Sequence, residues 1–122
     1  MTLVKKNMET ILKACDKKKA YNFVVLDVSK ISSITDYFII CSGNNEKQTL
    51  AIAEEVVEKG EKEGIEFYYK EGIERGRWIL LATDDIIVHI FHKDEREIYD
   101  LESLWYDDNS LNVEQYGIKN WK

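Results

Sequence analysis

The sequence predicts a layered α/β or α+β domain built on a mixed five-stranded sheet, with the element order α-β-β-α-β-β-β-α. Three observations predict it. Apolar residues recur at helical spacing in separate stretches, and strand-length apolar runs lie between them. Several of those runs are apolar on both faces, as in a sheet that is covered on both sides. The stretch Arg77–His92 holds two such runs around the polar step Thr83-Asp84-Asp85, which reads as a β-hairpin.

In chain order, Val4, Met8, Ile11, Leu12 and Cys15 stripe a first helix over roughly residues 2–18. Phe23–Val28 and Tyr37–Cys41 read as buried strands, joined by a polar connector. Ser42-Gly43-Asn44-Asn45 leads into a second helix. Asn45 with Gln48 resembles a capping box, and Gly64 is placed to end the helix in a left-handed conformation. Leu50, Ala53, Val56 and Val57 form its apolar stripe. Ile65–Lys70 is the third strand, and Glu71–Gly76 leads into the hairpin. Asp94 and Glu97 form another cap-like pair, before a short helix striped by Ile98, Leu101, Leu104 and Trp105. Residues 1–105 make one domain and 106–122 a tail that keeps enough apolar residues to dock.

Successive strand residues point to opposite faces. Trp78, Leu80 and Ala82 therefore oppose Arg77, Ile79 and Leu81, and Ile86, Val88 and Ile90 oppose Ile87, His89 and Phe91. Both faces of the hairpin are largely apolar, so each must be covered by the protein's own helices or by a partner.

At 122 residues, 44% hydrophobic and 33% charged, the chain fits a single folded domain. No run approaches a membrane span, and the first residues turn polar too soon for a signal peptide, so a cytoplasmic protein is expected. Cys15 and Cys41 then read as reduced core thiols. The net charge of −6 argues against a sequence-independent nucleic-acid binder and suits a basic protein partner. Lys17-Lys18-Lys19 reads as a solvated helix end.

The chemical motifs are few. Asp84 and Asp85 are neighbours whose side chains diverge on a strand, and Asp is good turn chemistry, so a two-metal carboxylate site is disfavoured. Ser42-Gly43-Asn44 sits where backbone N–H groups can bind an anion, but no phosphate-loop pattern is present and a helix cap explains it. His89 and His92 fall on opposite strand faces, and no further ligand completes a metal set. No catalytic residue, metal or cofactor is expected. Trp78, flanked by Arg77, reads equally as a core tryptophan or as an interface anchor.

Five stretches together resemble the ribosomal silencing factor family, also called Iojap-like proteins. They are Leu26–Val28, Ser32–Gly43, Gly76–Leu81, Asp85–Phe91 and Glu95–Trp105. The resemblance runs from the first helix to Trp105. It implies a nucleotidyltransferase-like fold without the catalytic carboxylates, and a non-enzymatic role. That role is binding the large ribosomal subunit through its fourteenth protein and blocking subunit joining when nutrients are short. It also implies a homodimer when free. By resemblance, the sheet region around Trp78 faces the ribosome, and Asp85 and His89 match the Asp and His of the family's second arm. The hairpin bend departs from the family's Asp-x-Gly-Asp: here it is Ala82-Thr83-Asp84-Asp85. The expected partner-binding residues are Glu71, Arg77, Trp78, Leu80, Asp84, Asp85 and His89, with Trp78 and Leu80 as anchors and the acidic residues facing positive charge. No membrane contact and no sequence-specific nucleic-acid binding are expected. The competing readings are a nucleotidyltransferase-like enzyme using the Ser42-Gly43 loop and a homodimeric adaptor for another protein.

Overall fold

A computed structural model describes residues 3–30, 33, 35–99 and 110–111. The elements are α1 (Leu3–Lys17), β1 (Tyr21–Asp27), β2 (Tyr37–Gly43), α2 (Glu46–Lys62), β3 (Tyr69–Glu71), β4 (Trp78–Ala82), β5 (Ile86–His92), α3 (Lys93–Tyr99) and β6 (Ser110–Leu111). The expected order α-β-β-α-β-β-β-α is present. To its five strands the structure adds β6, which pairs antiparallel with β1 from within the expected tail.

The sheet order is β3-β4-β5-β2-β1-β6. β2 and β5 are parallel neighbours in the middle, and the pairings of β1 with β2, β4 with β5 and β3 with β4 are antiparallel. Alternation along each strand divides the sheet into two apolar faces. One face carries Val25, Ile39, Cys41, Ile79, Leu81, Val88 and Ile90, all fully buried. Against it pack Met8, Ile11, Leu12 and Cys15 of α1 and Ile52, Ala53 and Val56 of α2. This is the main core, and its apolar burial supplies most of the stabilisation. Cys15 and Cys41 lie within it as free thiols. The Cys15 thiol is pushed well up by its hydrogen bond with Cys41 and by burial.

The caps of α2 follow the sequence. The Asn45 side chain accepts the Gln48 N–H at 2.8 Å, and the Gln48 side chain returns to accept the Asn44 N–H at 2.6 Å. The Gln48 amide also donates to the carbonyls of Lys18 and Lys19, both at 3.1 Å, tying α2 to the end of α1. Gly64 takes φ +85°, the left-handed conformation that ends the helix.

Two boundaries differ from expectation. The third strand does not start at Ile65: Ile65 and Phe67 turn under the end of α2, where Ile65 joins the core, and only Tyr69–Glu71 form β3. The ring of Phe67 lies so close to Gly60 that a Cβ there would stand 2.7 Å from it. α3 starts at Lys93, so Asp94 stands inside its first turn rather than at the expected cap, and its backbone N–H donates to the ring Nδ1 of His92 at 3.1 Å. The helix therefore starts directly on the end of β5. The expected stripe at Leu101, Leu104 and Trp105 lies outside the described residues. Among the described residues, no helix is long and apolar enough to cross a membrane.

Candidate protein-docking face

The second face of the sheet is not uniform. Around β1 and β2 it is closed: Leu26, Val28, Ile40 and Phe91 are fully buried and form a second core cluster. Toward the β3 edge it is half open. Trp78, Leu80 and Ala82 of β4, Ile87 of β5 and Phe38 of β2 are only partly buried. Tyr69, on the same face of β3, is 51% exposed. Strand register lays these out in rows: Tyr69, Ala82 and Ile87 in one, Glu71, Leu80 and His89 in the next, Trp78 and Phe91 in the third.

Trp78 is held on this face by its neighbours. Its ring stacks on Phe91, with centroids 4.9 Å apart, and its indole Nε1–H donates to Nδ1 of His89 at 3.1 Å. Phe38 meets the His89 ring edge-on at 5.1 Å. Because Nδ1 accepts, the proton of the neutral imidazole sits on Nε2, which is buried with no hydrogen-bond partner among the described residues. Burial pushes the His89 pKa down to about 4, so the ring is neutral at physiological pH.

The loop before β4 is fixed in shape. Gly76 N–H donates to the Gly72 carbonyl at 3.0 Å, and the Gly76 carbonyl accepts the buried Thr49 hydroxyl at 2.6 Å. Gly72 has φ +81°, and a Cβ there would fall 2.0 Å from the Trp78 carbonyl oxygen. Only glycine lets the loop run this close to β4.

The expected site residues divide into groups. Glu71, Trp78, Leu80 and His89 are brought together on the half-open face. Glu71 is exposed and accepts the Tyr69 hydroxyl. Arg77 turns away from them. Its guanidinium donates to Glu46 at 2.9 Å and to Glu95 at 2.8 Å, clamping the start of α2 to α3. Both carboxylates hold the guanidinium protonated above its usual range.

Asp84 and Asp85 lie beyond the other end of β4, a strand that runs about 13 Å from Trp78 to Ala82. They diverge, as expected. Asp84 is exposed on the side of Tyr68, whose hydroxyl pKa it raises, while Asp85 is half-buried beside Asp36. Burial raises the Asp85 pKa, and the neighbouring charges of Asp36 and Asp84 add to the rise. The bend itself is closed by Thr83. Its hydroxyl accepts from Ile86 N–H at 3.1 Å, and its own N–H donates to the Ile86 carbonyl at 2.8 Å. Thr83 therefore supplies the turn contacts, and Asp84 stands at the position of the glycine in the Asp-x-Gly-Asp pattern.

Ser42-Gly43-Asn44 shows no open anion site. The Ser42 hydroxyl accepts Arg96 Nη1 at 2.7 Å, and the Asn45 and Gln48 side chains occupy the first-turn donors. Among the described residues, no three His, Cys, Asp or Glu side chains converge as metal ligands.

The reading of the sequence missed Asp36, Arg75 and the half-open contribution of Phe38 and Ile87. For Asp36 there was a signal. Asp36 and Asp85 each directly precede an apolar strand, and the parallel register of Tyr37 with Ile86 sets them side by side.

Comparison with known proteins agrees with this architecture. A sequence profile of the family described as ribosomal silencing factor during starvation matches residues 3–121. The ribosomal silencing factor of Bacillus subtilis is 46% identical over 105 residues, which is 83% of this chain and 89% of that protein. That of Halalkalibacterium halodurans is 45% identical over 107 residues, 88% of this chain and 92% of the relative. A crystal structure of a Bacillus halodurans protein superposes with a TM-score of 0.79 at 42% identity, covering 88% of this chain and 98% of that one. The chain belongs to the ribosomal silencing factor family.

Proposed function

We propose that this protein represses translation by binding the large ribosomal subunit through its fourteenth protein and obstructing the small subunit. The observation that supports this most is the half-open apolar strip of Trp78, Leu80, Ala82, Ile87 and Phe38 on an otherwise well-packed sheet. Large apolar side chains grouped at a surface mark a contact with another protein. The exposed carboxylates of Glu71 and Asp84 border the strip and suit a basic ribosomal protein. Asp85, turned toward Asp36, contributes to the field at that end rather than as a direct contact. Residues 1–105 form the binding domain, acting in the cytoplasm without enzymatic turnover. In the free protein a second copy covers the same strip, so homodimer and ribosome compete for it.

The test is to mix purified subunits with the protein and follow joining by sedimentation. Saturating protein leaves the subunits separate, and large subunits stripped of the fourteenth protein lose the effect. Unimpaired joining at saturation would sink the proposal.

A further inference from the structure

Beside Trp78 the surface carries a hollow of about 340 Å³ lined by Gly72, Arg75, Arg77, Trp78 and Glu95. Two arginines reach it and they are not equivalent. Arg77 is neutralised by Glu46 and Glu95. Arg75 is exposed and makes no ion pair or side-chain hydrogen bond among the described residues. The loop that carries it is closed by the Gly76–Gly72 backbone bond and anchored by Thr49. An ordered loop thus presents a free guanidinium beside a half-exposed indole.

We propose that Arg75 pairs with a carboxylate side chain of the docked protein and thereby fixes its orientation on the sheet. This rests on the reading above, that the Trp78 face binds a protein of the large subunit. The charge layout supports it. One end of β4 carries Arg75, without an ion pair among the described residues; the other, about 13 Å away, leads to Asp84 and Asp85, with Asp36 beside them. A partner with an acidic residue at one end of an apolar patch and basic residues at the other fits this face in one direction and is repelled in the reverse one.

The planar fork of Arg75 suits a carboxylate. A phosphate backbone is disfavoured because Glu95 lines the hollow and the exposed Glu71 and Glu74 belong to the stretch that carries Arg75, on a chain of net charge −6. A single carboxylate carried on an apolar partner meets that repulsion once, while a polyanion meets it along its length.

The experiment measures binding to isolated large subunits for the wild type, Trp78→Ala, Arg75→Glu and Arg75→Lys, at low and high salt. Arg75→Glu weakens binding by about tenfold at low salt, and the difference shrinks at high salt. Arg75→Lys retains part of the affinity. Carbodiimide treatment of its complex then joins the installed amine to an Asp or Glu of a large-subunit protein. Wild-type affinity in Arg75→Glu, with Trp78→Ala defective, overturns the role of Arg75 and leaves the docking face standing. A weakened Arg75→Glu whose Arg75→Lys counterpart gives no protein adduct overturns the carboxylate assignment in favour of RNA phosphate. An adduct only to a second copy of this chain assigns Arg75 to the homodimer and overturns it as well. No binding by the wild type removes the docking face itself.

Discussion

The indole N–H of Trp78 donates to Nδ1 of His89, diagonally across the β4–β5 pair, at 3.1 Å. The bond fixes the imidazole tautomer and needs the ring neutral, since a protonated imidazole has no acceptor. Burial lowers the His89 pKa from 6.5 to about 4. Between those values the unfolded chain binds the proton and the folded one does not. Stability is therefore full above about pH 6.5 and falls as pH drops toward 4. The loss amounts to about 3 kcal/mol at most. Urea unfolding from pH 7 to pH 4.5 measures it. His89→Gln, which keeps a side-chain acceptor, flattens the slope in that window; an unchanged slope would assign it to another group.

Trp78 supports both the fold and the docking face. Its ring stacks on Phe91 yet remains part-exposed, on the face opposite the main core. Trp78→Ala costs about 2 kcal/mol, below the usual value for a fully buried tryptophan. It leaves a folded protein that no longer binds large subunits. Trp78→Phe keeps the stacking, loses the bond to His89, and binds with intermediate affinity. Circular dichroism and co-sedimentation on the same samples check this. Full binding by folded Trp78→Ala would place the anchor elsewhere.

Gly72→Ala tests the loop. The added Cβ meets the Trp78 carbonyl at 2.0 Å, in a backbone conformation with φ +81°. Both the contact and the conformation are unfavourable, and the substitution destabilises by about 2 kcal/mol or more. Because β4 must shift to accommodate it, large-subunit binding falls along with Tm. Gly64→Ala is the control: φ is +85° there, but nothing lies within 4 Å of the added atom, and the docking face is remote. It lowers Tm without lowering binding. Equal binding losses in the two variants would mean that global stability, not loop position, governs binding.

These contrasts also mark how far the sequence could be read. Alternation along β4 and β5 assigned Trp78 and Leu80 to one face and Ile79 and Leu81 to the other, and the structure keeps that division. The α2 start at Asn45 and its end at Gly64 were legible because caps are local chemistry. Neighbour order in the sheet was not legible. Nothing local says that β5 inserts beside β2 in parallel, and this pairing brings Asp36 to Asp85 and sets Arg96 against Ser42. The open half of the second face was equally hidden. Register puts Leu80 and Ile40 on one face, and nothing in the sequence says that Ile40 is sealed while Leu80 is half exposed. Arg75 lay in a loop whose composition gives no hint of the Gly72 contact that shapes it.

The Asp36–Asp85 pair gives a prediction of opposite sign to that for His89. Burial, then the charges of Asp36 and Asp84, raise the Asp85 pKa above its ordinary 3.8. Between 3.8 and the raised value the folded chain holds the proton more often than the unfolded one. Stability therefore falls as pH rises through that window, and the cost is fully present at neutral pH. Asp85→Asn removes the ionisation while keeping the size and one acceptor. It stabilises the protein at pH 7 by roughly 0.5–1 kcal/mol, the scale of a partly exposed charge interaction. Below the ordinary carboxylate pKa, where Asp85 is protonated in both states, the gain disappears. Thermal melts of wild type and variant at pH 7 and at pH 3.5 measure the difference. An equal gain at both values would trace it to packing, and a loss at pH 7 would show that the bend needs the charged carboxylate.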